Sequence, residues 1–287
     1  MAAMKNKRLS ANFPSRRAQN WLVLGLVGLG LFAAGLSASH AKESPQPIVL
    51  TGIKPDPAMA FGHYTFATMW FPGVCQAWEG TAAVCAKERH NPNVNQQLTL
   101  HGLWPSRPKS LIDANIAAPT WWHYGCYWFN ADQKIPESAD LPPLALPGPL
   151  QQRVNHVMPL AQTNLDRHEY TKHIACFGPS PAEYFSTATT MLSVLNDSEF
   201  AHWVSAHRGQ TVSRKAIQAA FSTGFKQPYA RAMQLRCAAK PHSHVNDILT
   251  EIWFTIPTEQ LAQFPKPESF GPGLRGNCAE KIHILSP

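Results

Sequence analysis

Charge is scarce in this sequence. Asp, Glu, Lys and Arg make up 15% of its 287 residues, against about 25% in an average soluble protein. That shortage argues against a coiled coil and against a disordered acidic or basic tail, both of which are built from charged residues. No CxxC pair is found, which disfavours a zinc ribbon or a thioredoxin-like redox motif. No internal repeat is found either, and no collagen-like period. Outside the N-terminal segment no apolar run is long enough to span a bilayer.

What the chain does have is an apolar fraction of 44% and 25 prolines. This suits a loop-rich globular domain with a sizeable core and a backbone stiffened by proline. The formal charge of +7 invites a polyanion-binding reading, but Lys5, Lys7, Arg8, Arg16 and Arg17 supply most of it before any acidic residue occurs. Without them 20 basic residues face 18 acidic ones, so net charge is weak evidence for a nucleic-acid partner. The 13 histidines matter more, because their charge changes near neutral pH.

Residues 21–38 form an apolar run of 18 behind a basic segment, and Ser39-His40-Ala41 follows with small residues at its first and third positions. That is the pattern of a secretory signal peptide. The run is also at the lower limit of a spanning helix, but the cleavage site is well formed and no stop-transfer cluster follows. Residues 1–41 are therefore read as a signal peptide and 42–287 as one domain, with a periplasmic or secreted location. Export agrees with six cysteines, all in the mature part: Cys75, Cys85, Cys126, Cys176, Cys237 and Cys278. Three disulfides are expected, although six cysteines allow 15 connectivities. Sequence order favours Cys75–Cys85 as a local loop, Cys126–Cys176 as a long staple and Cys237–Cys278 as a tie between the last strands.

Alternation and aromatic content predict strands over 63–70, 97–101, 230–237 and 246–256, the second ended by Gly102 and Pro105. Residues 104–149, dense in proline, read as a long irregular loop. Helices are expected over 150–161, 167–176, 198–207 and 213–221. One more starts at Ser180, where Ser-Pro-Ala-Glu makes a capping box with proline at the first turn, and runs to about residue 195. The fold class is α+β: one domain with a central antiparallel sheet, flanking helices, long loops and disulfide staples.

The chemistry lies in 168–173. At about 100° per residue, with His168 at zero, Lys172 falls near 40°, Glu169 near 100° and His173 near 140°. Two imidazoles, an ammonium and a carboxylate thus share half the helix, while Tyr170, Thr171 and Ile174 take the other. A solvated face with a Glu–Lys pair would look the same. A metal site is disfavoured by the five-residue histidine spacing, where HExxH uses four, and by Lys172 between the histidines. His101, at a strand end before Gly102 and Trp104-Pro105, is placed to project into a cleft.

LTLHGLWPS around His101 resembles the first active-site segment of the ribonuclease T2 family, and HEYTKHIAC, with His168 67 residues after His101, resembles the second. The likeness extends over most of the mature chain and is strongest to the bacterial periplasmic branch. It implies an endoribonuclease with no metal or cofactor, acting on single-stranded RNA and sparing DNA, as a monomer without stable membrane association. It implies His101 and His173 as the acid–base pair, His168 as a phosphate ligand, Lys172 and Glu169 as transition-state stabilisers, and Trp104 beside the substrate. Tyr64, Trp121, Trp122, Tyr124 and Trp128 are either stacking surfaces or core. Three positions depart from the pattern. Tyr170 replaces a usual Trp, Ile174 replaces a usual Gly, and Ser106 stands where some members contact a base. Ile174 is the larger change, since a β-branched residue resists positive φ. Two rival readings use the same residues: a metal-dependent phosphoesterase, and an RNA-binding member with an impaired site. Asn196-Asp197-Ser198 also matches a glycosylation acceptor.

Overall fold

Alternation in 63–70 makes the first strand, and the rest of the sheet assembles around it. A computed structural model describes residues 59–287, apart from 228–229 and 241–242. The signal peptide read at 1–41 and the boundary at 42 lie outside the described residues, which fall in one compact unit. In chain order the elements are β1 (His63–Met69), α1 (Phe71–Ala77), α2 (Ala82–Glu88), α3 (Pro92–Asn95) and β2 (Thr99–Pro105). Next come α4 (Lys109–Asp113), α5 (Ala118–Tyr124), α6 (Gly148–Val157), α7 (Leu165–His173), α8 (Pro181–Asn196) and α9 (Glu199–Ala206). The chain closes with β3 (Gln210–Ser213), α10 (Arg214–Phe225), β4 (Met233–Ala239), β5 (Asn246–Pro257) and β6 (Lys281–Ile284).

The strand order is β2-β1-β5-β6-β3, with β4 also paired to β5. The pairings are antiparallel except β5 with β6, which is parallel. One face carries Phe66, Leu235, Ile252 and Phe254 into the main core, where Phe200 of α9 and Phe221 of α10 pack against Phe254. The cysteines pair as sequence order favoured: Cys75–Cys85, Cys126–Cys176 and Cys237–Cys278.

Three expectations need correction. Strand β2 does not stop at Gly102 but continues to Pro105. The segment 104–149 is not one long loop: it holds α4, α5 and short 3-10 turns, and buries Leu111, Trp121, Tyr127, Leu141 and Leu144. Proline forbids a helix interior but favours its first turn, and here it starts helices, as at α5 and α6. The short strands β3 and β6 were absent from the sequence reading because four residues carry too little alternation to register. The capping box at Ser180 is present, with both reciprocal hydrogen bonds. Asn196 does not present a free amide for glycosylation: its side chain donates to Leu98 O at 2.9 Å and accepts from Leu98 N at 3.1 Å.

Candidate active site

The register of β2 against β1 breaks at the residue that matters. Ala67 faces Gly102 and Thr68 faces Leu100, so His101 is an extra residue without a partner. A bulge of this kind re-aims a side chain that strict alternation would send elsewhere. His101 is turned toward α7. Gly102, next to it, lets the helix come close: any Cβ there would collide with the Glu169 carboxylate and the Trp104 indole.

Helix α7 presents the other groups on one face, as its spacing predicts. Its C-terminal end is pinned twice. Gly125, at φ +55°, lies under the Lys172 carbonyl, where a Cβ would strike backbone. The Cys126–Cys176 bridge then ties that turn to the residues just after the helix. Lys172 and His173 sit in the last turn, where the helix dipole favours positive charge.

Glu169 is the hub. It is buried, and Oε1 lies 3.5 Å from His101 Nε2 while Oε2 lies 3.9 Å from His173 Nε2. The Trp104 indole N–H donates to that same Oε2. Trp104 also packs its ring 4.9 Å from His101 and 5.2 Å from His173. His168 stands 5.9 Å from His173, ring to ring. The two side chains expected to exchange protons with a substrate remain partly open, at 15% for His101 and 19% for His173. The structure thus brings together all six residues singled out in the sequence.

The pattern of the Ribonuclease T2 family matches residues 61–266. The chain belongs to that family. It is 30% identical over 239 residues to Ribonuclease I of Escherichia coli, covering 78% of this chain and 86% of that protein. A solved structure of a mutant of RNase MC1, from bitter gourd seeds, in complex with 5′-GMP is similar in fold, with a TM-score of 0.52 and 20% identity. That match covers 78% of this chain and all of the other.

Electrostatics split the two histidines of this ribonuclease T2 family member. Burial opposes charge on His101, but Glu169, by charge and hydrogen bond, and Glu251 override it and raise His101 to about 10. Burial dominates at His173 and holds it down at about 3; Glu169 opposes this, while Lys172, His168 and His101 reinforce it. Burial disfavours charge on Glu169 too, yet the His101 and His173 imidazoles draw it down to about 2. At neutral pH the site therefore holds an imidazolium at His101, a carboxylate at Glu169 and a neutral imidazole at His173. His168 and Lys172 are both lowered, chiefly by burial.

The departures from the family pattern are accommodated. Ile174 caps α7 at φ −127° and is buried in the core, so no positive φ is demanded of it. Gly178, at φ +105°, takes that conformation. Tyr170 points away from the site, donating its hydroxyl hydrogen bond to Pro179 O at 3.0 Å. Ser106 accepts from the Gly62 and His63 backbone and is fixed at the strand end. Of the aromatic candidates, Trp121 is core, while Trp122 is 57% exposed on the same helix. The ligand-type atoms of His168, Glu169 and His173 lie within 4.8 Å of one another, close enough for one cation. Both Glu169 oxygens already face partners, however, and Lys172 adds positive charge there.

Sequence reasoning missed Glu251 and Trp253 of β5. Glu251 Oε1 lies 2.6 Å from His101 Nδ1 and accepts from Trp253 Nε1 at 3.0 Å. The available signal was an acidic residue in the middle of a strand, between Thr250 and Ile252.

Proposed function

We propose that this endoribonuclease cleaves single-stranded RNA by metal-independent transphosphorylation, with His173 as general base and His101 as general acid. The observation that carries the reading is the placement of two partly open histidines on the two oxygens of one buried carboxylate; burial holds His173 toward its neutral form, while Glu169 and Glu251 hold His101 toward its charged one. A neutral imidazole accepts a proton and an imidazolium gives one, so each group starts in the form its step requires.

RNA brings its own nucleophile, the 2′-hydroxyl, already adjacent to phosphorus. His173 removes the 2′-proton as the 2′-oxygen attacks. The bond from phosphorus to the 5′-oxygen breaks as His101 delivers its proton to that oxygen. The products are a 2′,3′-cyclic phosphate and a 5′-hydroxyl, and the proton taken by His173 balances the one lost by His101. Lys172 and His168 flank the non-bridging oxygens and stabilise their developing charge. Glu169 holds both imidazoles and favours the imidazolium formed at His173. Trp104 lies beside the phosphodiester and braces the two rings.

DNA lacks the 2′-hydroxyl and is inert in this scheme. In-line attack needs a flexible strand, which favours single-stranded RNA. The signal-peptide pattern supports a periplasmic or secreted protein.

The test uses the oxidised protein, a short RNA, its all-deoxy counterpart and excess EDTA, with product ends identified by mass. Cyclic-phosphate ends from RNA alone are expected. Cleavage that stops in EDTA and returns with a divalent ion would favour the metal reading. RNA binding without cleavage under either condition would favour an impaired site.

A further inference from the structure

We infer that Glu251 is a positioning residue for His101, holding the proton on Nδ1 so that Nε2 is the atom that serves the leaving group. The inference rests on the reading of His101 as general acid. Glu251 is 7% exposed and its Oε1 sits 2.6 Å from Nδ1. A carboxylate can only accept, so the ring nitrogen facing it must carry hydrogen. The other ring nitrogen, Nε2, looks toward Glu169 at the looser distance of 3.5 Å. That proton is the one free to leave. Once it has gone, His101 is a neutral ring protonated at Nδ1, and its bond to Glu251 persists through the step.

The strands are shaped for this contact. Glu251 and His101 lie on β5 and β2, with β1 between them. On β1, Met69 is in register with Glu251, and Ala67, in register with Trp253, faces Gly102 of β2. Each partner sits at an irregularity. His101 is the unpaired residue of β2, and Thr250, beside Glu251, is left unpaired where β4 shifts from facing Glu251 to facing Leu249. Trp253, two residues along β5, donates to the same Glu251 oxygen, and Arg236 of β4 lies 4.7 Å over the Trp253 ring. These contacts fix the carboxylate before it meets the histidine, which is how outer partners orient a reacting group. The ionisable groups around His101 are Glu169, His168, Lys172 and His173 from α7 and Glu251 from β5, with Arg236 of β4 behind Trp253.

The test compares Glu251→Gln and His101→Ala with the native enzyme on two substrates. One is a dinucleoside phosphate. The other is a nucleoside 3′-(4-nitrophenyl) phosphate, whose leaving group needs no proton. Glu251→Gln is expected to lower kcat on the dinucleotide by roughly tenfold or more, a part of the ~10²–10⁴ that a positioned acid contributes. KM and the rate on the nitrophenyl ester should stay near native, and the alkaline limb of the pH–rate profile should move to lower pH. Equal loss on both substrates, or no loss on either, overturns the role of Glu251. If His101→Ala loses as much on the ester as on the dinucleotide, the acid assignment itself fails. Nitrogen-15 NMR of His101 in the native protein provides a readout independent of activity and of how the variant folds. Above its titration the ring should keep hydrogen on Nδ1, and a ring protonated on Nε2 would overturn the inference.

Discussion

The indole N–H of Trp104 donates to Oε2 of Glu169, joining strand β2 to helix α7 across 65 residues of chain. This bond helps to hold the element carrying His101 against the element carrying His173. Trp104 therefore acts first as a brace of the site, whatever its contact with substrate.

Replacing Trp104 by Phe keeps an aromatic ring against His173 and removes the N–H. The buried Oε2 of Glu169 then loses its donor, at a cost of about 1–3 kcal/mol. The expected outcome is a lowered melting temperature and a reduced kcat. Thermal denaturation and steady-state kinetics on a dinucleotide check both, and a native kcat would mean that Glu169 is held in place by other contacts.

Gly102→Ala drives a methyl into Glu169 and Trp104. Overpacking of this kind typically costs about 1–3 kcal/mol, and here the relaxation must displace the hub of the site. Activity should fall by far more than the stability loss explains. An active, stable Gly102→Ala enzyme would show that α7 can retreat without harm.

Either His101→Ala or His173→Ala should lower kcat by about 10²–10⁴, the usual contribution of a positioned acid or base. The fold should survive, because neither ring fills the main core. Circular dichroism alongside rate measurements separates lost chemistry from lost structure. Near-native turnover in either variant would remove that histidine from its role.

The same two histidines predict how stability varies with pH. His101 is raised from 6.5 to about 10, so its stabilisation is complete below 6.5 and is lost as pH rises through about 10. His173 is lowered from 6.5 to about 3, so the unfolded chain takes up a proton that the folded chain refuses, and stability falls as pH drops across that window. Glu169, lowered from 4.5 to about 2, adds to the acid-side loss. The melting temperature should therefore peak near the ordinary histidine value and decline on both sides. Replacing His101 should flatten the alkaline side and also soften the acid side, because its charge helps to hold Glu169 down; a curve unchanged by that substitution would refute the assignment.

The site was legible in the sequence where its geometry is local. The one-faced array from His168 to His173 follows from helical spacing, and the Ser180 cap follows from four consecutive residues. His101 was legible as a residue but not as a direction, because alternation along β2 is interrupted at that residue itself. Glu251 was not legible: it meets His101 across 150 residues, and no local pattern distinguishes a strand carboxylate that faces a site from one that faces water. The proline-rich stretch misled for a related reason. A proline count says where a helix cannot continue, whereas Pro119 and Pro149 stand in the first turns of α5 and α6.

The unpaired residue in β2 makes chain length a chemical variable. Between Thr99 and Trp104 the strand contains one residue more than its partner needs, and that surplus residue is the proposed proton donor. Shortening the strand by a single position would leave every hydrogen bond of the ladder available while abolishing the reaction. Anyone transplanting this site to another scaffold must therefore copy a count as well as a set of side chains.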